Sequence, residues 1–273
     1  MRKYICFLVI GLSVVLVGCQ GSAGSGDVST PDSPAATGGT DVESRLASGR
    51  EYLETGKYDD AIRELEEAVA QAPDDSDAHF LLGQAYNRTG QLAEAADEFR
   101  RVLEIDPESA AAHHNLGVTQ YQLGDLQSAL DEFEMALELD PDDPDTHYQL
   151  GATYLTLALS DAESPAADPE LLQQATEEFE EALALSKDMP EALIGLGNVY
   201  MQQGNYDAAI EVLLRAIELV PDSRQAYYAL GGAYAQSGDV GKACETYREF
   251  VSLEPSETWK TQAERIMASL GCE

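Results

Sequence analysis

SDAHFLLGQAYNRTGQLAEAADEFRRVLEIDPES, residues 76–109, decides the fold. Its glycine belongs to a series, Gly49, Gly83, Gly117, Gly151, Gly197 and Gly231, stepped by 34, 34, 34, 46 and 34 residues. An alanine keeps the same register at Ala61, Ala95, Ala129, Ala175, Ala209 and Ala243. A proline closes most copies, at Pro73, Pro107, Pro141, Pro221 and Pro255. A fixed period of this length marks a stacked-repeat architecture.

Each copy holds two segments with apolar residues at i, i+3, i+4 and i+7, the mark of amphipathic helices. A glycine-containing turn separates them, as in Thr55-Gly56-Lys57 or Leu123-Gly124-Asp125. Glycine inside a helix costs about 0.5–1 kcal/mol relative to alanine. That cost is tolerable where a second helix crosses at close range, and Ala209 is expected to be the small residue opposite Gly197. Proline then stops the second helix. One hairpin of this kind cannot bury both faces, so copies must stack and the ends must be capped.

The phrase L-G-x-x-Y, then A-x-x-x-F, then P, read at Leu82-Gly83-Gln84-Ala85-Tyr86, Ala95 to Phe99 and Pro107, resembles the tetratricopeptide repeat (TPR). The resemblance spans about residues 42–257. It implies an all-α fold, a right-handed solenoid of six helix-turn-helix repeats with a C-terminal capping helix. The units fall at 42–75, 76–109, 110–143, 144–189, 190–223 and 224–257, with the cap at 258–273. The first unit has a polar helix A (Glu43, Arg45, Ser48, Arg50), as a terminal repeat should. In the third, Gln120 stands where the others have tyrosine, and Tyr121 is displaced by one residue. The fourth carries 12 extra residues, expected as a loop at 158–170 between helices ending near Leu157 and starting near Glu170. Trp259, Ile266 and Leu270 are expected to cover the last helix B.

Before the repeats stands MRKYICFLVIGLSVVLVGC. Arg2 and Lys3 precede an apolar run from Tyr4 to Val17, too short for a spanning helix of roughly 20 residues. Leu16-Val17-Gly18-Cys19 resembles the lipobox of bacterial lipoproteins. The resemblance implies a signal peptide at 1–18 and lipidation of Cys19, with an ordinary signal peptide or membrane anchor as the alternative. Residues 19–41 then form a Gly/Ser/Pro-rich linker, on the order of 25 Å in average span. This places the chain in the bacterial cell envelope, facing the periplasm from the outer membrane if the cell is Gram-negative.

Two cysteines remain, Cys244 near the start of helix B in the sixth unit and Cys272 after the cap. Antiparallel neighbours bring these ends together, and an oxidising compartment would permit a disulfide; two separate thiols are the alternative. A closed loop of this size corresponds to roughly 3–4 kcal/mol in the chain-entropy account.

The formal net charge is −34 with only five lysines, and becomes −36 without Arg2 and Lys3. That argues against nucleic acid and against docking flat on anionic lipid. High salt is expected to stabilise so acidic a chain, as in salt-adapted organisms; an acidic, solvated solenoid of an ordinary bacterium is the alternative. His79, His113 and His147 recur at 34-residue intervals, where stacked helices about 8–10 Å apart or more keep them too distant for one metal; they are read as packing residues. The run from Asp140 to Asp145 lacks the order of a calcium loop and is read as helix-capping. No catalytic or nucleotide-binding motif is present, so no catalytic residue, cofactor, metal or small-molecule substrate is expected.

The resemblance also implies a concave groove lined by helix A positions 2, 5, 9 and 12. Here these bring in Phe80, Gln84, Asn87, His114, Tyr121, Tyr148, Leu155, Ile194, Asn198, Met201 and Tyr228. Aromatic, aliphatic and amide groups suit a protein partner's extended segment or helix. The basic clamp that some TPR proteins use on C-terminal carboxylates has no counterpart here. The functional expectation is a membrane-anchored scaffold, similar in architecture to type IV pilus pilotin lipoproteins and to TPR lipoproteins of peptidoglycan machinery. A cell-wall glycan-binding module, or a non-catalytic subunit of a cell-wall enzyme, is the alternative.

Overall fold

The computed structural model describes residues 38–160 and 167–272. The signal-peptide, Cys19 and linker readings before residue 38, and the centre of the loop at 161–166, lie outside the described residues. Among those described, thirteen α-helices occur and no strand. The fold is all-α, as the periodicity requires.

The chain divides into two compact units. The first, ending at Pro107, contains α1 (Gly38–Glu54), α2 (Tyr58–Gln71), α3 (Ser76–Thr89) and α4 (Leu92–Ile105). The second, from Glu108, contains α5 (Ala110–Leu123), α6 (Leu126–Leu139), α7 (Pro144–Ala158), α8 (Pro169–Leu185), α9 (Pro190–Gln202), α10 (Tyr206–Leu219), α11 (Arg224–Ser237), α12 (Val240–Ser252) and α13 (Glu257–Leu270). Odd-numbered helices are the A helices and even-numbered ones the B helices, with α13 unpaired. In each unit, A helices touch the next A helix as well as their own B helix (α1 with α3; α5 with α7, α7 with α9, α9 with α11). The A helices therefore form one layer within a unit.

The recurring glycine has a packing cause. All six recurring alanines are fully buried. The group that needs the room is the large side chain four residues further along helix B. A Cβ on Gly83 would lie 2.8 Å from the Phe99 ring, on Gly117 2.7 Å from Phe133, and on Gly197 2.7 Å from Leu213. Such distances are too short for carbon against carbon. The close approach thus seats Leu65, Phe99, Phe133, Phe179, Leu213 and Tyr247, with the Ala175 carbonyl also 3.3 Å from a Cβ on Gly151. Phe179 is pinched twice, by Gly151 on α7 and Gly195 on α9.

Turn chemistry sets the helix ends. Gly124 and Gly238 adopt φ of 83° and 90°, conformations open to glycine without a Cβ penalty. Asp143 accepts from the backbone N–H groups of Asp145 and Thr146 and so caps α7. Residues 38–41, read from the sequence as linker, belong to α1: Asp41 accepts from Arg45 Nε at 3.3 Å and from Gln71 Nε2 at 3.0 Å, fastening the first turn to α2. At the insertion, Asp168 N–H donates to the Ala158 carbonyl at 3.0 Å. This contact closes the hairpin beneath the extra loop.

The cap also differs from expectation. Ala263 is fully buried on α13, with Ile266 and Met267 packed against Tyr247 and Phe250. Leu270 packs against the cluster of Leu213 and Leu230. Trp259 stays 44% exposed. Its indole is too large for the shallow contact at the start of α13, and it stands edge-on against Tyr228 at 4.7 Å between ring centroids.

Candidate partner-binding surface

The sequence-derived groove residues fall on the A-helix layer of each unit. In the first unit, Phe80, Gln84 and Asn87 follow one another along α3, all half-buried. Phe80 rests edge-on against Phe99 at 5.8 Å. The first of these residues therefore stands directly on the side chain that Gly83 admits.

The second unit repeats this construction. His114 lies edge-on to Phe133 at 5.9 Å, Tyr148 tilts over Phe179 at 6.0 Å, and Tyr228 meets Tyr247 at 5.7 Å and Phe250 at 5.2 Å. Each of these three residues is half-buried and rests on a core ring. Burial pushes the Tyr148 hydroxyl up to about 12, with Glu191 and Tyr121 adding to it; Tyr148 is a neutral phenol at physiological pH. Tyr121 shares a hydrogen bond with Thr156, 3.0 Å between oxygens. Thr156 is absent from the sequence-derived set, and its i+35 spacing from Tyr121, one residue beyond the repeat, concealed it. Ile194, Asn198 and Met201 follow on α9, half-buried.

Leu155 does not belong to the surface. It is 5% exposed and sits in the core with Leu150 and Leu172. Helix α8 is 17 residues long where other B helices have 13 or 14, and its added first turn brings Leu171 against the same cluster. The insertion that lengthened this hairpin thereby covered a position that the repeat register leaves open.

Between α5, α6 and α7 lies a cavity of about 250 Å³, lined in part by His114, Asn115, Asp140, Asp143, Asp145 and Thr146. His114 Nδ1 is 2.6 Å from Thr146 Oγ1. Burial lowers the His114 pKa against the opposing pull of Asp143 and Asp145, so this ring is neutral at pH 7 and offers hydrogen bonds without charge.

Of the other histidines, His79 is buried and His113 and His147 are half-buried, and all three carry partners. His79, His113 and His147 each place Nδ1 against a glutamate of their own helix B, Glu98, Glu132 and Glu178, at 2.6, 2.7 and 2.7 Å. A second contact chain reaches back one repeat: Tyr86 donates to Glu66 at 2.8 Å, Tyr154 to Glu134 at 3.1 Å and Tyr200 to Glu180 at 3.2 Å. Both sets were legible as recurring residue pairs, separated by 19 and 20 positions outside the insertion. Cys244 and Cys272 form a disulfide with 5.6 Å between Cα atoms. No described helix is long and apolar enough to cross a membrane.

Profiles described as tetratricopeptide repeat match residues 46–110, 88–152 and 225–257, and one described as TPR repeat matches 197–238. Together they cover more than half of the chain. No curated protein matches by sequence. Among solved structures, pilF of Pseudomonas aeruginosa is similar at 18% identity and TM-score 0.68, over 84% of this chain and 98% of that one. A protein from Parabacteroides merdae, whose title calls it a tetratricopeptide repeat protein, also gives 18% and 0.68, over 84% and 87%. YrrB, titled a TPR protein with an unusual peptide-binding site, gives 21% and 0.56, over 74% and 97%. At these identities the likeness establishes the fold.

Proposed function

Since the chain belongs to the tetratricopeptide repeat family, we propose that it is a non-catalytic, membrane-anchored scaffold that binds a protein partner in the bacterial cell envelope. The carrying observation is the row of half-buried groups on the A helices of the second unit, Tyr121, Tyr148, Ile194, Asn198, Met201 and Tyr228. Rings fixed from below lose little freedom when covered, and that favours binding. The amide of Asn198 and the hydroxyls of Tyr121 and Tyr148 supply directional contacts for a partner backbone. The likeness to pilF and to the peptide-binding YrrB makes this use of the surface a natural one for the fold.

The envelope location rests on the Arg2-Lys3 start, the apolar run and Leu16-Val17-Gly18-Cys19. The Cys244–Cys272 disulfide agrees with an oxidising compartment. Within this reading the chain assists assembly of an envelope complex, a pilus secretin or peptidoglycan machinery.

Crosslinking and affinity recovery from the native membrane test the scaffold. A partner held by the wild type and lost with Tyr121→Ala plus Tyr148→Ala supports this surface; one retained by that variant moves the site elsewhere. Recovery of lipid and glycan alone, together with binding to isolated sacculi, would replace the scaffold with a cell-wall-binding module. Metabolic labelling with a fatty acid, lost in Cys19→Ala, tests the anchor. Intact mass after alkylation without reductant tests the disulfide, since two alkylated thiols exclude it in the native protein.

A further inference from the structure

Position 4 of helix A carries Arg45, His79, His113 and His147 in the first four repeats. Position 23 of the same four repeats, shifted by the insertion in the last, carries Glu64, Glu98, Glu132 and Glu178. The structure joins them pairwise. Arg45 Nη1 donates to Glu64 at 2.8 Å, and the three histidines meet their glutamates through Nδ1 at 2.6–2.7 Å. The histidine side chains are 7%, 12% and 14% exposed and the glutamates 22–24%. In the fifth and sixth repeats both members change together, to Leu193 with Val212 and Tyr227 with Thr246. Leu193 and Val212 lie in one apolar cluster.

The second ring nitrogen makes the arrangement informative. Nε2 of His79 is 3.0 Å from the Pro73 carbonyl, and Nε2 of His147 is 3.0 Å from the Pro141 carbonyl. Both nitrogens of each ring therefore face groups that only accept when the carboxylate is ionised. A neutral imidazole has one N–H and leaves one contact unmade. Each set closes only with one more proton than a neutral ring and an ionised carboxylate carry between them. Where the histidine is absent, at Leu193, the equivalent backbone carbonyl is that of Lys187, and Arg215 donates to it instead. Arg45 supplies in the first repeat a permanent form of the same positive charge.

We propose that His79–Glu98, His113–Glu132 and His147–Glu178 are clasps between the two helices of their hairpins, and that the His147–Glu178 clasp is proton-operated, closed while the pair holds that extra proton and loosened when it leaves on the alkaline side. His79 on α3 faces Glu98 on α4, with Arg101 of α4 also reaching the Pro73 carbonyl at 3.4 Å. His113 on α5 faces Glu132 on α6. His147 on α7 faces Glu178 and Glu181 on α8, and the Pro141 carbonyl at the end of α6. Burial disfavours charge on His147, but the Glu178 hydrogen bond, the Pro141 carbonyl and the charges of Glu178 and Glu181 outweigh it and raise its pKa. A raised folded value means that the clasp's contribution is full below the ordinary histidine value near 6.5 and is lost as pH rises through the folded value.

The test replaces all three rings by the permanent cation already used at Arg45. In the full chain at a fixed molar salt, the wild-type melting temperature should fall by about 5 °C between pH 6 and 8.5. His79→Arg with His113→Arg and His147→Arg should remove most of that slope while leaving every glutamate in place. Equal slopes in the two proteins overturn the proposal. If the triple variant does not fold, nitrogen NMR of the wild-type imidazoles decides. Signals from His147 showing both ring nitrogens bearing or sharing protons at pH 6.5, titrating above that value, support the clasp; a bare nitrogen at pH 6.5 refutes it.

Discussion

Hairpins α7–α8 and α9–α10 are consecutive repeats with the same geometry and different chemistry. In the first, His147 and Glu178 join the helices and the Pro141 carbonyl takes the other ring nitrogen. In the second, Leu193 and Val212 pack without polar atoms and Arg215 serves the Lys187 carbonyl. Glycine, alanine and a large helix-B residue are common to both: Gly151, Ala175 and Phe179 against Gly197, Ala209 and Leu213. The repeat therefore imposes the helix crossing, a matter of volume, and leaves open whether charge or apolar contact joins the helices beside it. A buried ion pair and an apolar pair of similar volume are often near equivalents in stability. They differ in what they respond to, since one of them titrates.

Exchanging the chemistry between the hairpins gives the largest expected effect. Leu193 is 1% exposed. Leu193→His alone would bury a ring with no acidic partner, at a cost of about 3 kcal/mol. Adding Val212→Glu should recover part of that loss, and the double variant should acquire a pH slope above pH 6.5 that the single variant lacks. Urea melts at pH 6 and 8.5 measure both. Additive losses with no new slope would show that hairpin five cannot host the pair, and that the difference between the hairpins lies in the backbone.

An intermediate effect is expected where the two hairpins share a residue. The Phe179 ring is held between Gly151 of its own hairpin and Gly195 of the next, and a Cβ on Gly195 would lie 2.5 Å from the ring. Gly151 meets the same ring at its Cδ1–Cε1 edge, where a Cβ would have 3.1 Å. Gly195→Ala should destabilise by about 2 kcal/mol through overpacking, and the companion change Phe179→Leu, which restores the smaller residue found at Leu213, should relieve it. A Gly195→Ala protein that melts like the wild type would mean that the ring moves freely.

How much of this was legible follows from what each contact demands. Gly83 and its equivalents repeat because no other side chain fits under Phe99 and its equivalents, so steric necessity wrote the fold into the spacing. Ala209 was read as the small residue opposite Gly197, and it is fully buried; the register marks which positions are small but not that the room is taken by a ring or leucine one helical turn away, Leu213 in that repeat. The glutamates were visible 19 residues after His79 and His113 and went unread, since in a chain of 50 acidic residues a carboxylate draws no notice until its partner is placed. Leu155 was assigned to the surface because repeat positions predict exposure only while the hairpin keeps its standard length. The insertion lengthened α8, and Leu171 of its added turn packs against the cluster that holds Leu155. Trp259, expected to cover the last helix B, is 44% exposed and meets Tyr228 of α11 instead.

The smallest effect concerns the contact that both hairpins make in the same way. Tyr154 donates to Glu134, and Tyr200 to Glu180, each glutamate lying on the B helix of the preceding repeat. Burial, with the Glu134 charge and hydrogen bond, pushes the Tyr154 hydroxyl up to about 12, so it stays a donor at any pH where the clasp titrates. Tyr154→Phe and Tyr200→Phe should each lose about 1 kcal/mol, the usual worth of one hydrogen bond to a charged group that can fall back on water. Neither substitution should alter the pH slope. If Tyr154→Phe flattens that slope, the proton being read belongs to the tyrosine–glutamate contact, and the distinction between the two hairpins must be drawn there instead of at His147.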